Sequence, residues 1–108
     1  MKHKITDEIA EWHKATFPDA TFESQILKLE EEIREFYTCY DNEEELADIL
    51  IVSIVLAHRF KSEIGIEIFA SFFDYENPDR MDKLIKKKME INRGRTWVKV
   101  DGVYRHED

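Results

Sequence analysis

A chain of 108 residues is expected to form one domain spanning 1–108, with a modest core and a gain in stability from self-association. Charged residues make up 37% and hydrophobic residues 43%, with three Gly and two Pro, a balance that excludes a turn-rich β protein and points to helices. A formal net charge of −8 argues against a broad surface for nucleic acid polymers or anionic membranes, so a phosphate ligand must meet a local basic group or a bound cation.

The opening residues lack the apolar core of a signal peptide, and no run reaches transmembrane length, so a soluble, cytoplasmic protein is expected. "ITDEIAEWHKATF" places Ile5, Ile9, Trp12 and Phe17 near one side of a first helix starting around Thr6 or Asp7 and interrupted by Pro18. Thr21 can cap a second helix, "FESQILKLEEEIREFYTCY", whose stripe of Phe22, Ile26, Leu29, Ile33, Phe36 and Tyr40 is expected to be buried. The lone cysteine, Cys39, has no internal disulfide partner and reads as a packed or partly buried thiol in a reducing compartment.

After a turn at Asp41 and Asn42, a third helix begins near Glu43. Its "LADILIVSIVLA" is apolar nearly all round and belongs in the middle of a bundle. It should stop before Gly65, with "IEIFASFFDY" as a short aromatic helix and Asn77 and Pro78 as the cap and first turn of the next. The last helix, "DRMDKLIKKKMEINR", stops at Gly94, and "RTWVKVDGVYRHED" can form a hairpin or an extended arm around Asp101 and Gly102. The expected fold is therefore all-α: an antiparallel bundle of four to five helices with a short C-terminal arm or hairpin.

Gln25, Lys28, Glu32 and Glu35 are spaced by three, four and three, forming a polar stripe beside the apolar seam of the second helix. Glu45 and Asp48 are three apart on the third. If the two helices fold antiparallel about Asp41 and Asn42, Glu35 falls near Asp48, and Glu32 and Glu45 lie about a turn to either side. Carboxylates ~4 to 6 Å apart repel and raise one another's pKa, so a cation should resolve the cluster. Hard divalent ions suit an all-carboxylate set, Mg²⁺ first with Mn²⁺ as the alternative, and an open site of this kind points to phosphate-ester or anhydride chemistry. Taken alone, the ExxE spacing also fits a solvated face paired with Lys28 and Arg34, and Glu30, Glu43 and Glu44 are read that way.

On the last helix Met81, Ile85, Lys88, Asn92 and Arg95 form a stripe that turns from apolar to basic, so Lys88, Asn92 and Arg95 are candidate phosphate or nucleotide contacts. Gln25 and Lys28 are further candidates for substrate contact. Trp12, Phe17, Tyr37 and Trp97 could stack on a base; Trp12 and Trp97 are the better candidates. His13, His58 and His106 could approach phosphate but read first as packing or surface residues.

In "EWHKATFPDATFESQILKLEEEIREF", "EEELADILIVSIVLAHR" and "KKKMEINRGRTWVKVDGVYRH" the chain resembles the MazG-like, all-α nucleoside triphosphate pyrophosphohydrolases of the small phage and bacterial type. The resemblance implies metal ligands at Glu32, Glu35, Glu45 and Asp48, with Glu31 of the EExxE pattern as an auxiliary ligand or a base for water. Nine residues separate Glu35 from Glu45, a shorter connection than in many members. The KxxxNxxR match at Lys88, Asn92 and Arg95 implies phosphate or nucleotide contacts. The implied activity is Mg²⁺-dependent hydrolysis of a (deoxy)nucleoside triphosphate to monophosphate and pyrophosphate by water attack at the α-phosphorus. A purine dNTP is slightly favoured, and the setting would be a host cytoplasm if the protein is phage-encoded. The alternatives are a catalytically silent nucleotide- or protein-binding dimer and a phosphoribosyl-ATP pyrophosphohydrolase. A homodimer or homotetramer is implied, with "IFASFFDY", Ile68 to Tyr75, as the expected interface.

Overall fold

The structure, a computed structural model, describes residues 4–38, 43–68 and 78–106. Among them are the helices α1 (Lys4–Thr16), α2 (Phe22–Thr38), α3 (Glu43–His58), α4, described over residues 63–68, and α5 (Pro78–Gly94). The strands β1 (Trp97–Val100) and β2 (Val103–His106) close the chain as a hairpin, so the expected helical bundle carries a paired rather than extended C-terminal arm.

The apolar run in α3 is explained by its position. On one side Leu50, Ile51, Ile54 and Val55 meet Ile5 and Ile9 of α1 and Ile85 and Met89 of α5. On the other, Ile49, Val52 and Leu56 meet Leu29 of α2, with Ile26, Ile33 and Phe36 packed at the edge. Residues 51–57 are all buried, leaving no solvent face to carry charge. At roughly 1.5–3 kcal/mol for each large apolar side chain fully buried, this helix anchors the fold. Ser53 is the polar exception within that run, and its hydroxyl donates to the Ile49 carbonyl at 2.8 Å. Contacts of Leu29 with later α3 residues and of Glu35 with earlier ones make α2 and α3 antiparallel.

Local chemistry sets the ends of the helices. The Thr21 Oγ1 accepts from the Ser24 N–H at 3.1 Å and the Ser24 Oγ from the Thr21 N–H at 3.0 Å, a reciprocal cap at the start of α2. In the hairpin, Asp101 (φ 53°) and Gly102 (φ 81°) both take positive φ, as a two-residue turn of the type I′ kind requires, and Val100 pairs with Val103.

Four expectations change. Helix α1 starts at Lys4 rather than at Thr6 or Asp7, because Thr6 is buried within the first turns instead of capping them. Phe22 is 39% exposed, since it opens α2 beyond the reach of the α2–α3 seam. Helix α3 ends at His58, before Gly65 as expected, but the next helix begins at residue 63 rather than after Gly65, which lies inside α4. A Cβ there would stand 2.7 Å from both the Ala57 nitrogen and the Ser53 oxygen, so glycine is what allows α4 to lie against α3. Tyr37 is 76% exposed and does not face the site described below. Cys39, Tyr40, Asp41, Asn42 and Asn77 lie outside the described residues, as does the expected interface apart from Ile68, which packs against the α2–α3 cluster. No described helix is long and apolar enough to cross a membrane.

Candidate functional site

Where α2 and α3 run side by side, Glu32, Glu35, Glu45 and Asp48 turn towards one another, and one carboxylate oxygen from each lies within 4.8 Å of the others. Glu32 is buried, Glu45 and Asp48 are half-buried and Glu35 is exposed, so the cluster has a closed floor and an open rim. The spacing of three on each helix causes this, because residues three apart share a face and both faces border the same apolar seam.

The arrangement is electrostatically unfavourable on its own. Burial, and next the charge of Asp48, push the Glu32 carboxyl up to about 8, and Lys28, 3.2 Å away, offsets this only in part. Burial and the charges of Asp48 and Glu35 also raise Glu45. Burial raises Asp48 despite the opposing pull of Lys88 at 3.4 Å. The Glu32 Oε2 and Glu45 Oε2 atoms are buried and have no hydrogen-bond partner among the described residues. Unpartnered, inward-facing carboxylate oxygens beside other carboxylates fit hard divalent cations. No histidine or cysteine among the described residues joins them.

Glu32, Glu35 and Asp48 of the cluster line a cleft that is open to solvent. Lys28 and Arg95 stand along the cleft with Asn92. The Arg95 Nη1 donates to the Asn92 Oδ1 at 3.4 Å, and the Trp97 indole N–H donates to the Asn92 carbonyl at 3.1 Å. Lys88 is buried between α5 and α3, where its ammonium holds Asp48 and approaches Glu44 at 3.9 Å. The lining also includes an aromatic group. Trp97 packs edge-on against Trp12 and Phe17, with centroids 6.2 and 5.3 Å away, and Phe17 lies 4.4 Å from Tyr104. Asp19 ties the hairpin to the α1–α2 loop by accepting from Lys99 at 2.7 Å and from the Tyr104 hydroxyl. These two partners hold the Asp19 carboxyl down to about 2.

No family model matches the sequence. The chain is 32% identical over 100 residues to a dATP/dGTP diphosphohydrolase of Salmonella phage PMBT28, a match that spans 91% of this chain but 29% of the phage protein. Its fold matches that of the cyanophage S-2L MazG-like pyrophosphohydrolase, solved with dGDP and three catalytic Mn²⁺ ions per active site. That match has a TM-score of 0.51 and 29% identity, and covers 97% of this chain and 95% of the other. The chain is thus similar in sequence and in fold to MazG-like pyrophosphohydrolases.

The fold brings together eleven of the residues singled out from sequence: Trp12, Phe17, Gln25, Lys28, Glu32, Glu35, Asp48, Asn92, Arg95 and Trp97 line the cleft, and Glu45 completes the carboxylate cluster. Lys88 does not line the cleft and reaches the cluster through its ion pair with Asp48. Glu31 stands outside the cluster, ion-paired with Arg105 of β2 and 3.9 Å from Lys28. Sequence reasoning passed over His13, Tyr104 and His106, which also line the cleft. For the last two a signal existed: they are two apart on one strand and so share a face, and His106 pairs across the hairpin with Trp97.

Proposed function

We propose that this protein hydrolyses a deoxynucleoside triphosphate, with a purine base favoured, to the monophosphate and pyrophosphate, using Mg²⁺ or Mn²⁺ held by Glu32, Glu35, Glu45 and Asp48. The observation that carries the proposal is the juxtaposition, in one cleft, of a carboxylate cluster with orphaned oxygens and an aromatic wall. The carboxylates suit metal-bound phosphates and the aromatic rings a nucleobase. The Mn²⁺ and dGDP of the cyanophage protein, and the substrates in the name of the Salmonella phage protein, support the same assignment.

When bound, divalent ions would neutralise phosphate charge and lower the pKa of the attacking water. The chain's own residues then divide the remaining work. Lys28 and Arg95 flank the cleft as cations for non-bridging oxygens, the lysine as a mobile point charge and the arginine as a fork held by Asn92. Trp12 and Trp97 give apolar ring surface for the base, and the Trp97 orientation is fixed by its bond to the Asn92 carbonyl. A water oxygen bonds to the α-phosphorus as the bond from that phosphorus to the bridging oxygen breaks. Pyrophosphate leaves, and the proton lost by water is taken up at the carboxylate cluster or by solvent. Glu31, adjacent to the cluster, is the residue we assign as an auxiliary ligand or base once its pairing with Arg105 is released.

Product analysis tests this. Each dNTP, and phosphoribosyl-ATP, is incubated with purified protein and Mg²⁺ or Mn²⁺, and the products are separated by anion exchange. A monophosphate with pyrophosphate from a dNTP supports the proposal. Orthophosphate as the first product, turnover of phosphoribosyl-ATP alone, or binding without turnover would reject it.

A further inference from the structure

Beside the cleft, a three-residue chain of hydrogen bonds joins elements far apart in sequence. The Arg59 Nη1 lies 2.8 Å from the His13 Nδ1, and the His13 Nε2 lies 2.9 Å from the amide position assigned as Gln25 Nε2, a position whose oxygen or nitrogen identity follows from the bonding below. All three are held in place. His13 is 5% and Gln25 7% exposed. The Arg59 guanidinium also donates to the Phe17 carbonyl at 2.8 Å and the Pro18 carbonyl at 3.1 Å, where α1 ends.

The polarity of this chain follows from its first member. A guanidinium has only hydrogens to offer, so the His13 Nδ1 must present a lone pair. Burial and the Arg59 charge hold the imidazole neutral, its pKa lowered to about 3. Its single proton therefore sits on Nε2, which must donate to Gln25. An NH₂ group opposite that N–H would set donor against donor at 2.9 Å, so the atom of Gln25 facing His13 is the carbonyl oxygen. Amide oxygen and nitrogen are assigned by such hydrogen-bond logic. The NH₂ group is left on the other side of the amide with no other partner among the described residues, on a side chain that lines the cleft.

We propose that Gln25 is a specificity-determining residue that offers the nucleobase a donor only, and that His13 and Arg59 are positioning residues that lock this polarity. Gln25 precedes Glu32 by seven positions on α2, about 10 Å along the helix axis from the carboxylate floor, and lines the same cleft as Trp12, Phe17 and Trp97. With phosphates at the carboxylates, that is where a base edge falls. A free glutamine amide can turn to suit either an acceptor or a donor, whereas a locked one cannot. The site therefore takes purines with a carbonyl at position 6, guanine or hypoxanthine, over adenine, whose amino group would meet the Gln25 NH₂ head-on. This inference rests on the nucleotide assignment above and adds to it a choice of base and its cause.

The test compares dGTP, dITP and dATP by kcat/KM, using ratios so that a general loss of folded protein cancels. A buried site that hydrogen-bonds its substrate discriminates strongly against a mismatched group, so the wild-type preference for dGTP and dITP over dATP should be roughly tenfold or more. Gln25→Met should bring that ratio near one, and Gln25→Glu, with an acceptor facing the base, should turn it towards dATP. His13→Gln carries an acceptor for Arg59 and a donor for Gln25 and should keep the ratio, whereas His13→Phe frees the amide and should lose it. An unchanged ratio in Gln25→Met or His13→Phe, or a wild type that takes dATP equally well, overturns the inference. A second readout does not depend on turnover: quenching of Trp12 and Trp97 fluorescence by dGMP, dIMP and dAMP. Base-selective binding that vanishes in Gln25→Met supports the inference even if hydrolysis is absent. Hydrolysis with no dependence of base choice on Gln25 overturns this inference and leaves the proposed reaction standing.

Discussion

Replacing Glu32 by glutamine should stabilise the metal-free protein at neutral pH, and the gain should grow with pH. The Glu32 side chain is buried, one of its oxygens is unpartnered, and burial with the Asp48 charge holds its carboxyl at about 8 against an ordinary 4.5. Between those two values the folded chain retains a proton that the unfolded chain has released, so each unit of rising pH lowers folding stability by about 1.4 kcal/mol. The penalty is absent below pH 4.5, accumulates up to pH 8, and amounts to roughly 3 kcal/mol at pH 7. Glutamine fills the same volume and does not titrate. Urea denaturation in EDTA, run on both proteins from pH 4.5 to 8, should show a difference near zero at the acid end that rises to roughly 3 kcal/mol at pH 7. In excess Mg²⁺ or Mn²⁺ the order should reverse, because the wild type gains binding energy through a ligand that the variant lacks. A difference that is flat with pH, or a variant less stable than wild type at pH 7 in EDTA, would refute the reasoning.

Asp48→Asn should lower kcat at least a hundredfold with an unchanged far-UV spectrum, since the cluster loses a charge but no volume; activity within tenfold of wild type would remove Asp48 from the site. Lys88→Met should destabilise the metal-free fold by about 3–5 kcal/mol, because it strips the half-buried Asp48 of the ammonium 3.4 Å away. A loss under ~1 kcal/mol in thermal denaturation would show the pair to be solvent-screened. Gly65→Ala should lower the midpoint of thermal unfolding by several degrees, given backbone atoms 2.7 Å from the added Cβ and a cost of about 1–3 kcal/mol for overpacking. An unchanged midpoint would mean that α4 does not lie this close to α3.

The helices and the carboxylate cluster were legible in the sequence for one physical reason: each is set by spacing within a helix. Glu32 and Glu35 share a face because they are three apart, and Glu45 and Asp48 do so for the same reason. The apolar run after Asp48 demands a central helix, which must lie beside the seam that α2 presents. Where local periodicity was silent or had two meanings, the sequence left the placement open. Gly65 is as consistent with a helix stop as with a close crossing, and only the position of Ser53 and Ala57 distinguishes them. Glu31 belongs to the acidic run of α2 by spacing, yet the return of β2 gives it Arg105 as a partner.

The least legible part of the site is also the part that bears on base choice, and the two facts have one cause. A metal floor needs many ligands of one kind on two adjacent helices, so it leaves a repeated pattern of carboxylates. Recognition of a base edge needs one donor held in one orientation. That orientation is imposed here by Arg59, 46 positions from His13 and on the far side of α3 in the chain. Neither residue has a spacing that singles it out, and a buried histidine reads in sequence as packing. Once the fold closes the distance, the strict donor character of a guanidinium propagates through the imidazole to the Gln25 amide. If Gln25 sets base choice as proposed, one change at position 13, 25 or 59 should alter the base preference of this protein without any alteration at Glu32, Glu35, Glu45 or Asp48.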